Sequence, residues 1–375
     1  RRLKVSTKYF HRELNNYELF VFRELYGTTI CSLMMNKKSL NKSLNVAKSS
    51  KKDEFYTQLT DIEKELKHYK KHFKDKVILC NCDDPRISNF FHYFSYNFEK
   101  LGLKKLITIC YKNQDMDLFS QNKSEKSIYL EYDGDKNENK VPNPNEIGIK
   151  YLKGDGDFRS KECIELLKKS DIVVTNPPFS LLRQYVLQLI EYDKKFLIIG
   201  NQNSVTYKEI FPLIKKNKIW LGYYSGDMSF QTPKNYEPRE TRYWEDENGQ
   251  KWRSFGNICW YTNLDIEKRH QEIILYKKYN SEDYPTYDNY HAINVSKVMN
   301  IPVDYDGVMG VPITFLNKYN PNQFEIVGSD YEVREGLLPK IIKSEWRGKI
   351  DRGYLNGKRK YARILIKKKR NYYEN

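Results

Sequence analysis

The chain has 375 residues, with 65 Lys and Arg against 49 Asp and Glu, and a net charge of +16. That length buries a large core and divides naturally into a catalytic domain and a second lobe. It holds no apolar run of about 18 residues, so no membrane span is expected, and its six cysteines show neither framework nor zinc spacing. These features point to reduced core thiols in a cytoplasmic protein without a metal site. The positive balance favours a polyanionic partner. An AT-rich codon bias would also enrich Lys, Asn, Tyr and Ile, so charge alone decides little.

Residues 1–45 read as a polar, basic arm without an assignable role. Thr60-Asp61-Ile62-Glu63 has the form of a capping box. Leu59, Ile62, Leu66, Tyr69 and Phe73 then recur at helical spacing. Lys76–Cys82 is expected to be a buried strand, Ser88–Leu101 a helix and Lys105–Tyr111 a second strand. Asn113–Asn145 is polar and charged and reads as a surface excursion. Strands follow at Ile147–Leu152, Asp171–Thr175 and Lys195–Gly200, with helices near Ser160–Lys169 and from Leu181 to Ile190 between them.

Strands alternating with helices at these intervals imply a doubly wound parallel sheet in an α/β domain spanning 46–264. Ile219–Leu221 and Asn257–Tyr261 would complete its far edge. Beyond Asp265 the alternation stops, and Val311–Leu316, Phe324–Val327 and Tyr361–Ile366 are expected to be strands of a less regular lobe over 265–375. Lys367–Arg370 reads as a solvated charge run.

The strand Asp171–Thr175 delivers Asn176-Pro177-Pro178-Phe179 to its carboxyl end, where ligands bind in open α/β sheets. Asn176 Oδ1 and the Pro177 carbonyl can accept the two protons of an exocyclic amine, drawing its lone pair out of ring conjugation. Two prolines stiffen the turn, and Phe179 offers a flat face for an extruded base. The competing reading is a strand that merely ends at a Pro-Pro turn.

Methyl transfer to such an amine needs an activated donor, usually S-adenosylmethionine, and three places suit one. Asp83-Asp84-Pro85 leads from the first strand into a helix whose N-terminus adds backbone donors. Turn and cap roles explain these residues equally well. Asp157 and Phe158, after a Gly-Asp-Gly turn, can accept from the donor's adenine amine and pack on its ring. Phe55-Tyr56-Thr57 can close over its methionine end.

The stretches Lys52–Thr57, Cys80–Arg86 and Val174–Ser180, extended by Phe196–Asn201, Gly256–Trp260 and Gly307–Thr314, together resemble the EcoRI-type adenine-specific DNA methyltransferases. The resemblance covers roughly residues 45 to 330. It implies a Rossmann-like methyltransferase sheet with a C-terminal target-recognition lobe. The implied reaction is S-adenosylmethionine-dependent transfer to N6 of a flipped adenine in duplex DNA. A largely monomeric enzyme of a restriction–modification system is also implied, with any cognate nuclease on a separate chain.

The chain departs from the wider pattern in two places. Asp84–Asn89 stands where a glycine-rich donor loop is usual, and Cys110-Tyr111-Lys112 lacks the carboxylate that usually grips the ribose. An amino-methyltransferase for RNA or protein glutamine remains an alternative. So does a catalytically silent DNA-binding protein of the same fold. Sequence choice is expected between about Asp265 and Gly348. There Arg269, Gln271, Asn289, Asn294, Asn300 and Asn317 are candidates for base edges, and Tyr287 and Tyr290 for packing on the DNA backbone.

Overall fold

The computed structural model describes residues 55–82, 88–110, 127–135, 149–232 and 236–369. The basic arm expected over 1–45 lies outside these. In chain order the first elements are β1 (Tyr56–Thr57), α1 (Leu59–Leu66), α2 (Lys70–Phe73) and β2 (Val77–Asn81). Helices α3 (Asn89–Tyr96) and α4 (Phe98–Leu101) lead to β3 (Lys105–Ile109), β4 (Ile128–Tyr132) and β5 (Ile149–Tyr151). Next come α5 (Lys161–Lys169), β6 (Ile172–Thr175), α6 (Leu182–Glu191), β7 (Lys195–Asn201) and α7 (Phe211–Lys215). Two 12-residue strands, β8 (Trp220–Gln231) and β10 (Lys251–Thr262), flank the short β9 (Tyr243–Glu245).

These strands form one mixed ten-stranded sheet in the order β1-β8-β10-β7-β6-β2-β3-β4-β5, with β9 paired to β10. Its centre, β3-β2-β6-β7, is parallel. Antiparallel strands extend it on both sides. Alternate residues of the central strands bury on opposite faces. Leu79, Val173 and Ile198 enter one core, and Ile78, Val174 and Leu197 the other. Both faces being covered explains why these strands read as unbroken apolar runs.

Three departures from the sequence reading have local causes. The expected surface excursion contains β4, whose Ile128, Leu130 and Tyr132 are buried in period-two alternation with Tyr129 and Glu131. Glu131 bonds Lys150 of β5 at 2.6 Å, so the charged residues of this strand carry pairing as well as solubility. The capping box does not form, because α1 begins two residues earlier than it requires, at Leu59 with Gln58 as its cap. The Gln58 side chain donates to the Ser229 carbonyl at 3.0 Å. Finally, β8 and β10 run well past their expected apolar cores into the polar stretches Tyr223–Asp227 and Trp252–Asn257.

A second sheet, β11 (Ile293–Asn294), β12 (Met309–Pro312), β13 (Phe324–Ser329) and β16 (Arg363–Lys368), follows in the order β11-β12-β16-β13, while β14 (Tyr354–Leu355) and β15 (Lys358–Arg359) pair with each other. Residues 313–316, expected to continue β12, fall in a 3-10 turn over Ile313–Lys318 instead. Met309, Val311, Ile364 and Ile366 pack into the same core as Phe211 and Ile214 of α7. Tyr287, Tyr290 and Leu365 make a separate cluster. Lys367 and Lys368 belong to β16, where Lys367 is exposed, as is Lys369 beyond it, and Lys368 departs from the expected solvated run. Lys368 is nearly enclosed, with Nζ donating to the Val303 carbonyl and 3.5 Å from Asp306.

Candidate active site

The adjacent parallel strands β2 and β6 end side by side. Asn81, last in β2, is buried there. Its main-chain carbonyl accepts from Thr175 Oγ1 and its side-chain oxygen from the Tyr185 hydroxyl. These bonds lock the two strand tips together and hold the first turn of α6. Cys82, the next residue, takes φ 86°, a conformation that favours glycine. The chain leaves β2 through this left-handed residue without a glycine. Asp83, Asp84 and Pro85 lie outside the described residues.

Asn176 follows Thr175 directly and is 7% exposed. Its Nδ2 donates to the Phe55 carbonyl at 2.7 Å, whereas Oδ1 is buried without a hydrogen-bond partner among the described residues. A buried acceptor left unpaired costs about 1–3 kcal/mol. Such a cost at the carboxyl end of a strand marks a place for an incoming donor. The Pro178 carbonyl accepts from Leu181 N at 2.9 Å and starts the short turn that carries Phe179 into α6.

Phe55-Tyr56-Thr57 crosses this end of the sheet as an edge strand paired with Phe230 and Gln231 of β8. The Thr57 carbonyl accepts from Asn89 Nδ2 at 2.8 Å, which ties the strap to the start of α3. Thr57 Oγ1 is buried with no partner among the described residues, a second orphaned polar atom on the same strap.

Phe179 is half-buried in a cage of rings. Phe55 lies 5.6 Å away at 30°, and Phe230 and Phe255 meet Phe179 edge-on at 6.0 and 5.7 Å. Tyr236 closes on Phe55 at 6.0 Å. Sequence reading missed Phe230, Phe255 and Tyr236. Their signal was weak, since they sit in polar stretches of a hairpin whose pairing with the strap only the fold creates.

Asp157 and Phe158 occupy the turn after β5. Gly156 there has φ +79°, and a Cβ on it would lie 2.6 Å from the Cys110 carbonyl at the tip of β3, so only glycine fits. Phe158 is buried edge-on against Tyr185 at 5.0 Å, and through it this turn reaches the β2 tip. The Asp157 carboxylate accepts from Arg159 Nε at 2.8 Å and Nη2 at 2.6 Å. Burial pushes the Asp157 carboxyl up, but the Arg159 bonds and charge outweigh it and hold it below its ordinary value. The structure therefore gathers Phe55, Thr57, Asn176 and Phe179 at one point, and it sets Asp157 beside an arginine.

The model of the family described as adenine-specific methyltransferase EcoRI matches residues 43–369. The chain belongs to that family. It is 52% identical over 340 residues to the type II methyltransferase M.EcoRI of Escherichia coli, covering 90% of this chain and 99% of that one. Identity is 40% with the type II methyltransferase M.MgeORF184P of Mycoplasma genitalium, over 86% of this chain and 98% of the relative. It is 39% with M.MpnI of Mycoplasma pneumoniae, over 87% and 98%. No solved structure matches the chain. An adenine-specific family gives the unpaired Asn176 oxygen a chemical counterpart, because adenine carries an exocyclic amine.

Beyond Asp265 several expected roles change. Tyr287 and Tyr290 are fully buried and unavailable to DNA. Asn289 is buried too, donating to the Arg352 carbonyl at 2.8 Å and accepting from Tyr354 N at 2.9 Å. These residues build the interior of this region. Gln271 remains exposed, and Arg269 lies over Trp220 at 3.8 Å with its Nη2 on Asn217.

Proposed function

We propose that this chain transfers a methyl group from S-adenosylmethionine to N6 of an adenine extruded from duplex DNA, as the modification enzyme of a restriction–modification system. The observation that carries this reading is the fixed side chain of Asn176. Its amide nitrogen is committed to Phe55, so its oxygen faces the site unpaired. Family membership and the type II relatives support the substrate class.

The residues present fit the donor. Thr57 Oγ1 is orphaned on the strap and suits its amino-acid end. Asp157 is held anionic by Arg159, whose three hydrogen bonds leave one of the about four acceptor positions of a carboxylate for an adenine amine. Phe55, Tyr56, Phe158 and the segment Asp83-Asp84-Pro85 complete the proposed set. S-adenosylmethionine, when bound, supplies a methyl on a cationic sulfur whose bond to carbon breaks with both electrons staying on sulfur.

Asn176 Oδ1 and the Pro177 carbonyl accept the two N6 protons and make the nitrogen more tetrahedral. Its lone pair, withdrawn from the ring, forms the new bond to carbon. The methylated nitrogen, now cationic, then releases one of its protons to water. Phe179 holds the base plane while Pro177 and Pro178 keep the acceptors fixed. Acceptors set in place before the reaction are worth far more than mobile water.

The wound methyltransferase sheet is assigned to residues 46–264, and sequence choice to exposed surfaces of 265–375, with the protein acting as a cytoplasmic monomer. No helix among the described residues is long and apolar enough to cross a membrane. Labelled donor incubated with mixed-sequence duplexes should yield N6-methyladenine on nucleoside analysis. Label found solely at cytosine, in RNA or in protein would overturn the reading.

A further inference from the structure

The β8–β10 hairpin carries a bulge beside the aromatic cage. Phe255 pairs with Met228 and Ile258 with Gly226, so Gly256 and Asn257 together face Asp227. A bulge bends its strand and re-aims side chains, and bulges recur next to active sites. Here Phe255 precedes the bulge, with its ring 5.7 Å from Phe179 and 4.9 Å from Phe55. Arg253 lies two residues earlier, on the same strand face, with its guanidinium 5.3 Å over the Phe255 ring. Its Nη1 donates to the Thr241 carbonyl, while Nε is buried without a partner among the described residues.

Arg242 lies over the bulge itself. A Cβ on Gly256 would come within 2.7 Å of Asp227 Oδ1 and 3.0 Å of Arg242 Nη2. Arg242 Nη1 donates to Asp227 Oδ1 at 2.9 Å, in a pair whose side chains are 50% and 74% exposed.

We propose that Arg253 and Arg242 hold phosphates of the DNA strand carrying the target adenine, with Asp227 occupying Arg242 until DNA arrives. The inference rests on the function proposed above and adds the groups that grip the extruded nucleotide. A base stacked on Phe179 leaves its sugar and phosphate at the mouth of the cage, beside Phe255 and the start of β10, where Arg253 pairs with Tyr243 of β9. Guanidinium groups present several donors in a fixed fork that matches phosphate oxygens. An exposed ion pair such as Asp227–Arg242 contributes little stability, so exchanging its carboxylate for a phosphate is easy. Charge along the hairpin sets the direction. Glu245, Asp246 and Glu247 crowd the turn between β9 and β10, so DNA is met at the open end of that short pair, beside Arg242 and Arg253, and repelled from its turn.

The test is DNA affinity against salt, read by anisotropy of a labelled duplex bearing the methylated motif. It uses the full chain and Arg253→Gln, Arg253→Lys, Arg242→Gln and Asp227→Asn. Each Gln variant should reduce the slope of log K against log salt by about 1, because one phosphate contact is lost. Arg253→Lys should keep the slope, and Asp227→Asn should tighten binding by releasing Arg242. Unchanged slopes in the Gln variants would overturn the proposal. So would Asp227→Asn weakening DNA binding as Arg242→Gln does, since the pair would then be a structural tie. Donor affinity of each variant reports folding, and Arg253→Lys with Asp227→Asn decides the matter if a Gln variant fails to fold. A wild-type chain that methylates no DNA adenine would instead sink the function itself.

Discussion

Asn176 donates its side-chain amide to the main-chain carbonyl of Phe55, 121 residues earlier in the chain, at 2.7 Å. That bond fixes which way the Asn176 oxygen points. It also anchors the strap that carries Phe55 and Thr57. One side chain thus positions both the proposed amine acceptor and the proposed donor cover.

Asn176→Ala should lower kcat on the order of a hundredfold, the usual loss for one preorganised polarising contact. DNA affinity should hold, because the contact belongs to the transition state. Asn176→Asp removes the donor to Phe55 and faces one acceptor with another, so it should also weaken donor binding. Single-turnover rates and donor titrations separate the two effects. A rate for Asn176→Ala near that of wild type would take Asn176 out of the chemistry.

Phe179→Ala and Phe255→Ala should each loosen the extruded base. 2-Aminopurine at the target position reports this directly, since its fluorescence rises when unstacked and is quenched again against a ring. Both variants should therefore give brighter complexes than wild type, with Phe179→Ala the brighter because its ring provides the stacking face. Equal quenching in all three proteins would argue that the cage does not receive the base.

Gly222→Ala should destabilise the fold. A methyl there would lie 2.3 Å from Glu65 Oε1 and 2.8 Å from Trp260 Cβ. Glu65 is fully buried, and it accepts from the backbone N–H groups of Tyr223 and Tyr224 at 2.7 Å each and from Tyr69 at 2.8 Å. It cannot yield without losing these bonds. Overpacking of this kind costs about 1–3 kcal/mol, which urea denaturation would measure. An unchanged midpoint would show that β8 has room to shift.

Stability should fall as pH rises from about 4 to 6 through one group, Asp330. Burial pushes its carboxyl up to about 6, although Arg363 N, Arg352 and Tyr290 pull the other way. A raised acid binds its proton more tightly when folded. The folded state is thus favoured below the unfolded value near 3.8, and that advantage is lost through about 6. Asp330→Asn should remove this part of the pH profile while keeping an acceptor for Arg363 N, now at 2.7 Å. An identical profile for the variant would mean that Asp330 titrates normally.

By itself the sequence determined the parallel centre of the sheet and the motif at its edge. Val77–Asn81, Ile172–Thr175 and Lys195–Asn201 are covered on both faces, so their composition alone marks them as strands. Asn176–Phe179 follows one of these strands directly, so its position at the carboxyl end was legible from adjacency in the chain.

Only the tertiary structure decided what surrounds that motif. The Phe55 carbonyl meets Asn176 because a two-residue edge strand pairs with β8, a contact no local pattern encodes. Phe230 and Phe255 join Phe179 through a hairpin whose outer halves are polar and read as loop. Tyr287 and Tyr290 look like surface aromatics in a basic lobe, yet packing buries them completely. Local spacing encodes which face a residue takes along its own element. Partners more than a hundred residues away are set by how sheets and strap close on one another, and burial and hydrogen bonding then select among the contacts the chain allows.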